Sequence, residues 1–364
     1  MILKNIELNN FRLCERGNIS FKDNVNLIYG KNAEGKTNVL EAIYFFARGK
    51  SFRGGKDTDI VRFSEKGYSI KIVFEKKDGE HILEYRYYDG KRQRLLNEVN
   101  VSAKEFIGKF NAVFFCPDHL SIIKDAPSTR REFLNIAISQ LSSEYVLLLY
   151  EHKKLTESKN VLLKSEEPLD FNLIASYNEK LAVTNAKIYK MRIDYIKKLS
   201  LFVNKTVNEI SMGKENAEIF YKSDAEISCE SLSDLENCYA KVLNENLKRE
   251  IAAKMCLVGV HRDDLIFTIN KKDARQFASQ GQQRSLALAL KLSEGEIIKE
   301  EKGEAPVYLF DDVLGELDED RKSYVLSRTE GRQMIVTACE KGDYLKLDGL
   351  NLIFAKEGKY SQDE

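Results

Sequence analysis

The sequence predicts an α/β fold in which a phosphate-binding core is divided by a large helical insertion. Three observations carry this. Gly30-Lys31-Asn32-Ala33-Glu34-Gly35-Lys36-Thr37 lies between an apolar run, Val25 to Tyr29, and a stretch with helical apolar spacing, Asn38 to Ala47. Val307-Tyr308-Leu309-Phe310 is a second apolar run, and it ends in Asp311-Asp312. Roughly 275 residues separate Lys36 from Asp311, although a minimal core of this type needs only about a hundred.

The first motif has the strand, Gly-rich loop and helix context that gives G-x-x-x-x-G-K-[ST] its meaning. Gly30 and Gly35 let successive backbone N–H groups fold around a triphosphate at a helix N-terminus. Lys36 then reaches the β- and γ-phosphates and Thr37 offers a hydroxyl to Mg²⁺, so ATP and Mg²⁺ are the expected cofactors. In the second motif an acid at the end of a buried strand holds the metal's water shell, a role that falls to Asp311. Asp312 is placed to orient or deprotonate the attacking water, which makes Asp312 and Lys36 the catalytic candidates.

In chain order, residues 1 to 29 read as three strands. Arg12, between the first two, is either a surface charge or a phosphate contact. Residues 48 to 62 are basic and glycine-bearing; Lys50, Arg53 and Lys56 either track a nucleic-acid backbone or face solvent. Tyr68 to Tyr88 alternates as a hairpin around Lys77-Asp78-Gly79, and Asp89-Gly90 leads to a further strand. Ala112 to Cys116 is a short buried strand.

The period then becomes helical. One helix is expected from about Ser128 to Lys164, with Ser128 or Thr129 near its cap, and another from Phe171 to Ile210. The second has apolar or aromatic residues seven apart at Ile174, Leu181, Ile188, Tyr195 and Phe202, broken by Thr184 and Lys198. That pattern fits either a projecting antiparallel coiled-coil hairpin or a packed helical subdomain. Ala217 to Tyr221 reads as a strand, Leu232 to Met255 as a helix, and Leu265 to Ile269 with Arg275 to Ala278 as a hairpin; the tail from Glu357 to Glu364 looks frayed. This places residues 1–120 and 256–364 in the nucleotide lobe and 121–255 in the insertion.

Composition narrows the function classes. The 57 basic and 57 acidic residues cancel, so a polyanion partner must meet a local patch. The longest apolar stretches, such as Val146 to Tyr150, are far too short to span a bilayer. Six scattered cysteines (Cys14, Cys116, Cys229, Cys238, Cys256, Cys339) argue for a reducing compartment, with most of them buried as small hydrophobes. The N-terminus lacks the layout of a signal peptide, and the expected location is cytoplasmic.

Ahead of the second motif lies Ser279-Gln280-Gly281-Gln282-Gln283, followed by a strongly helical stretch from Arg284. It forms a second anion-binding helix tip. Since one cradle already serves one nucleotide, this tip is expected to serve the nucleotide of another subunit, with ATP as the glue of a homodimer.

These residues resemble known motifs. Gly30 to Thr37 looks like a Walker A, Ser279 to Gln283 like the signature of ABC-type ATPases, and Asp311-Asp312-Val313-Leu314-Gly315-Glu316-Leu317-Asp318 like a Walker B and D-loop. With Ile6 to Arg12, Pro127 to Leu134 and Val260 to Leu265, the chain resembles over its whole length the RecF family of bacterial recombination mediators, in the SMC-like branch. The resemblance implies a two-lobed ABC-type head with a short coiled-coil arm and ATP-dependent dimerisation. It also implies binding of single- and double-stranded DNA, and work with RecR and RecO in loading RecA at gaps, hence roles in repair, replication and the SOS response. Ala33 departs from a common glycine, so a tight position must accept a methyl group. Asp312 stands where transporters place Glu, and Ile335 to Ala338 lacks their switch histidine, so hydrolysis is expected to be slow. His261 is expected to be structural. The alternative is a motor subunit serving a membrane partner; an ATPase coupled to a separate nuclease chain is a third reading.

Overall fold

The computed structural model describes residues 1–223, 231–328 and 331–362. They form two units. Unit 1 comprises Met1–Ser121, Thr206–Lys214 and Gln280–Glu364, and unit 2 comprises Ile122–Lys205 and Glu215–Ser279. The return to the nucleotide unit therefore comes at Gln280 rather than near residue 256, because Asp264–Ile269 pairs with a strand of the insertion.

Unit 1 opens with β1 (Ile2–Phe11), β2 (Cys14–Ser20), β3 (Val25–Tyr29) and α1 (Lys36–Arg48), then β4 (Gly67–Lys76), β5 (Gly79–Tyr88), β6 (Lys91–Leu96) and β7 (Val99–Asn100). A short α2 (Ala103–Phe106) and β8 (Ala112–Phe115) follow. The meander builds an antiparallel sheet in the order β2-β1-β4-β5-β6-β7. Alternation gives it one apolar face, with Tyr68, Ile70, Ile72 and Phe74 of β4 and Leu83 and Tyr85 of β5 all buried. In β1 the buried set steps from Leu3 to Ile6 because a register shift between Leu3 and Asn5 changes the facing. Asp89 and Gly90 carry φ of 46° and 79°, as the two-residue turn between right-twisted strands requires.

Unit 2 carries α3 (Pro127–Leu141), α4 (Ser143–Lys164), α5 (Phe171–Ile210), β9 (Ala217–Lys222), α6 (Leu232–Glu245), α7 (Leu247–Ala253), β10 (Asp264–Ile269), β11 (Lys272–Asp273) and α8 (Ala274–Phe277). The expected 128–164 helix is broken at Ser142, whose hydroxyl caps α4 by accepting from Tyr145 N at 3.2 Å. α3 itself starts at Pro127, with Ala126 as N-cap and no side-chain cap. The 232–255 helix is likewise two helices that meet at Asn246. The expected strand over 275–278 is α8, because the Asp273 carboxylate accepts from the backbone of Arg275 and Gln276 and starts a helical turn.

Within unit 2 the inner face of α5 is covered rather than bare. Ile174, Leu181, Ile188 and Tyr195 are buried, and so are Asn178, Thr184, Asn185 and Arg192. Thr184 is tolerated because its hydroxyl donates to Lys180 O at 2.8 Å. Arg192, 2% exposed, donates to Tyr145 Oη at 2.9 Å, Tyr221 Oη at 2.8 Å, Val260 O at 2.7 Å and Asn135 Oδ1 at 2.9 Å. Tyr221 in turn donates to Asp263 Oδ2 at 2.5 Å. This one guanidinium binds α3, α4, β9 and the loop before β10 to α5. His261 lies in the same unit, and burial pushes its imidazole down to about 4, so it is neutral at physiological pH.

The chain returns to unit 1 with α9 (Gln280–Lys302), β12 (Val307–Asp311), α10 (Glu319–Leu326), β13 (Met334–Ala338), β14 (Asn351–Lys356) and β15 (Lys359–Gln362). The second sheet runs β15-β14-β3-β13-β12-β8, parallel throughout except for β15. α1 is buried along nearly its whole length; Leu40, Ile43 and Phe46 are each fully covered, worth about 2 kcal/mol apiece. The tail is ordered as the β14–β15 hairpin up to Gln362; residues 363 and 364 lie outside the described residues. So does Cys229. Of the five described cysteines, all free, Cys14 and Cys256 are buried and Cys339 is exposed.

Replacing Arg192 by Met should cost unit 2 about 3–5 kcal/mol, since several buried acceptors lose their donor together. Chemical unfolding of the variant beside the unchanged chain measures this; a loss below about 1 kcal/mol would contradict the keystone role given to Arg192.

Candidate nucleotide site

The loop between β3 and α1 leaves the C-terminal edge of the parallel sheet, where β3 has parallel neighbours on both sides. Such an edge is the usual ligand crevice of an α/β sheet. Gly30 has φ 153°, and a Cβ there would stand 2.3 Å from Ala355 O. Gly35, at φ 99°, is the N-cap of α1. Ala33 adopts φ 68°, so the methyl group does sit in the left-handed region that favours glycine. The Lys36 ammonium donates to Gly30 O at 2.7 Å and to Lys31 O at 3.2 Å. It also lies 3.5 Å from Asn32 Oδ1, so the lysine is aimed into the loop's own mouth.

The two motifs meet at one hydrogen bond. Thr37 Oγ1 donates to Asp311 Oδ1 at 2.9 Å, across 274 residues of sequence. Thr337 Oγ1 donates to the same oxygen at 2.8 Å and accepts from Asp312 N at 2.9 Å. One threonine on β13 thus sets both acids. Burial raises the Asp311 carboxyl above its ordinary range, against the two threonine hydroxyls that favour its charged form. Asp312 holds φ 51° and lines a cavity of about 450 Å³ together with Asn32, Lys36, Thr37 and Arg12. A buried carboxylate beside a hydroxyl is an all-oxygen donor set of the kind Mg²⁺ takes when phosphates and water complete its shell. Among the described residues no group of three or more His, Cys, Asp or Glu forms a rival metal site.

Arg12 is neither a surface charge nor free. Its guanidinium grips Glu41 in a two-pronged pair, Nη2 to Oε1 at 2.6 Å and Nε to Oε2 at 3.1 Å, and donates to Asp59 O at 2.6 Å. Glu41 is fully buried on α1 and also accepts from Ser51 Oγ. Arg53, a candidate for the DNA-tracking loop, turns instead into this cluster, 3.4 Å from Glu41 and 3.1 Å from Asn38 Oδ1, and lines the cavity. Lys50 and Lys56 are exposed. Sequence reasoning missed Glu41, Asn38, Asp59 and Thr337. The available signal was Glu41 itself, the one charge in the apolar run from Val39 to Ala47.

The remaining loop residues divide between two sides. Gly30, Lys31 and Glu34 border a separate cavity with Tyr29, Cys339 and Phe354. Glu34 faces the β14–β15 turn, where Gly358 N donates to its carbonyl at 3.1 Å, and Tyr360 Oη donates to Gly35 O at 3.0 Å. Ser279 directly precedes the first residue of α9, Gln280, and both are exposed. The lining of the nucleotide cavity includes none of Gln280, Gly281 and Gln282.

Ala33→Gly should relieve the left-handed strain and raise stability by about 1 kcal/mol, read from the urea midpoint; an unchanged midpoint would speak against strain there. Asp311→Asn tests the acid. A carboxyl whose folded pKa is raised contributes stability below its ordinary pKa and loses it as pH rises through the folded value. The substitution should therefore stabilise the nucleotide-free protein at pH 7, with the gain shrinking toward pH 3.8. Urea titrations across that range decide it, and a gain independent of pH would reject the burial argument.

Residues 2–362 match the family described as RecF/RecN/SMC N terminal domain. The DNA replication and repair protein RecF of Natranaerobius thermophilus is 39% identical over 359 residues, covering 94% of this chain and 92% of that protein. Its counterpart in Caldanaerobacter subterraneus is 40% identical over 356 residues, with 94% and 95% covered. A solved structure of the recombination mediator protein RecF with ATP, in the RecFOR pathway, superposes with TM-score 0.93 at 36% identity, over 100% of this chain and 98% of that one. A Smc head bound to the C-winged helix domain of ScpA shares the fold, with TM-score 0.58 at 17% identity. With an ABC-type ATPase architecture and relatives of this identity along nearly its full length, the chain belongs to the RecF/RecN/SMC N-terminal domain family, in its RecF branch.

Proposed function

We propose that the chain is an ATP-controlled DNA-binding protein of recombinational repair, acting as a slow ATPase switch. The observation that carries this is the Thr37–Asp311 hydrogen bond, which joins the phosphate loop to the acidic strand end. The relatives named for DNA replication and repair, and a RecF solved with ATP, support the choice of nucleotide and of pathway.

The loop N–H groups from Asn32 to Thr37 bind the β- and γ-phosphates, and Lys36 neutralises their charge. Thr37 and Asp311 would hold Mg²⁺, which would supply compensating positive charge beside the phosphates. Asp312 orients the attacking water and takes its proton. It is a short acid in a strained backbone position, which keeps turnover slow. Arg12 and Arg53 line the cavity with the Glu41 carboxylate between them, which places two guanidinium groups beside a bound polyphosphate.

Ser279 and the opening turn of α9 cap the nucleotide of a second copy, so ATP closes a homodimer and hydrolysis reopens it. The closed pair pools basic residues of both chains on DNA, single- or double-stranded. Lys50 and Lys56 are the exposed contributors. RecR and RecO are the proposed partners, with RecA loading at gaps as the outcome. A motor subunit for a membrane partner has no specific observation in its favour.

ATP should shift sedimentation from one chain to two, and DNA affinity should rise with ATP and fall about a hundredfold between 50 and 200 mM salt. Ser279→Arg should leave ATP binding to the single chain intact and block the dimer. Retained ATP-dependent dimerisation in that variant would refute the shared site.

A further inference from the structure

Arg321, in the first turn of α10, directs its guanidinium to Ser285, Gly281 and Asp318. Nε donates to Ser285 Oγ at 2.9 Å, Nη2 donates to Gly281 O at 2.8 Å, and Nη1 pairs with the Asp318 carboxylate. The first two partners lie on the opening turns of α9. The third is the N-cap of α10, and it also accepts from Arg321 N at 3.0 Å. The Arg321 side chain is 17% exposed and that of Asp318 52%, so the fork is largely shielded while its anchor reaches solvent.

Asp318 closes the segment that begins at Asp312. That segment is pinned by Val313, Leu314 and Leu317, all buried. At its start Asp312 holds a left-handed φ of 51°, and its amide is tied to Thr337. One guanidinium therefore connects the tip of α9 to the short segment that sets the second acid. A guanidinium is planar, with donors in fixed directions, and hydrogen bonds weaken steeply off line. A shift of the Gly281 carbonyl cannot be absorbed without loosening Ser285 or Asp318.

We infer that Arg321 is a positioning residue that makes the setting of Asp312 depend on whether the α9 tip is engaged by a nucleotide held in a second copy of the chain. This rests on the shared-site reading above. Engagement fixes Gly281, the fork then holds Asp318, and the 312–318 segment keeps Asp312 over the cavity. Linkage makes the coupling reciprocal in binding, about tenfold in affinity, while its effect on turnover need not be symmetric.

The experiment is ATP turnover per chain, measured across protein concentrations that span dimerisation. The unchanged chain should turn over faster once dimeric and respond to ATP with a Hill coefficient above 1. Arg321→Ala should bind ATP as a single chain within about twofold of the parent and still dimerise. Its dimer should turn over about tenfold to a hundredfold more slowly, as a displaced catalytic group does, with a Hill coefficient near 1. Arg321→Lys, which keeps charge without the fork, should behave like the alanine variant, and Ser285→Ala should fall between. Parental turnover and cooperativity in the Arg321→Ala dimer would overturn the inference, as would a variant that only melts earlier. Should Arg321→Ala fail to fold, Ser285→Ala decides, and parental kinetics there would also overturn it. A parent chain that never dimerises on ATP would sink the shared-site reading first, visibly and by itself, and the coupling with it.

Discussion

The hydroxyl of Thr37 on the Asp311 carboxylate is the contact around which this chain is arranged. A buried carboxylate must be matched by donors or by a cation. Here the donors are two threonine hydroxyls, which satisfy geometry but leave the charge standing. That residual charge is what a hard cation carrying phosphate is suited to meet. The strand order follows from the same need. β13 must lie between β3 and β12 so that Thr337 can reach both acids while the phosphate loop leaves the neighbouring strand. Since β12 arrives late in sequence, unit 2 is inserted between the two halves and closes on its own core.

The charged cluster beside the cavity imposes a second constraint. Glu41, fully buried on α1, holds Arg12 from the turn between β1 and β2 and Arg53 from the basic loop. Two guanidiniums on one buried carboxylate rigidify the rim and hold their donors at the cavity, where Asp59 and Asp312 also lie. Loop residues 57–59 are fixed independently. Asp57 accepts from Tyr68 Oη at 2.8 Å and Tyr85 Oη at 2.9 Å, which anchors them to the meander. The antiparallel sheet thus serves as a platform for the nucleotide rim.

Unit 2 obeys a different logic. α5 is too polar on its inner face to be a simple apolar seam, and its order comes from a satisfied buried network centred on Arg192. Such a network specifies one packing because every member loses its partner if one moves.

The sequence by itself determined the phosphate loop, the acid-ended strand, the meander and the span of α5. Each is local, set by a spacing of two or 3.6 residues or by a glycine that a tight turn requires. The strain at Ala33 was legible for the same reason. Tertiary structure alone decided what Arg12 and Arg53 touch, that Thr337 governs both acids, that residues 275–278 turn into a helix, and which polar residues line the inner face of α5. A long cationic side chain reaches partners tens or hundreds of residues away. A seven-residue repeat does not say what covers it, and a capping aspartate outweighs a weak strand preference. Those outcomes depend on which surfaces meet, and surfaces that meet through a 274-residue excursion leave no periodic trace in the chain.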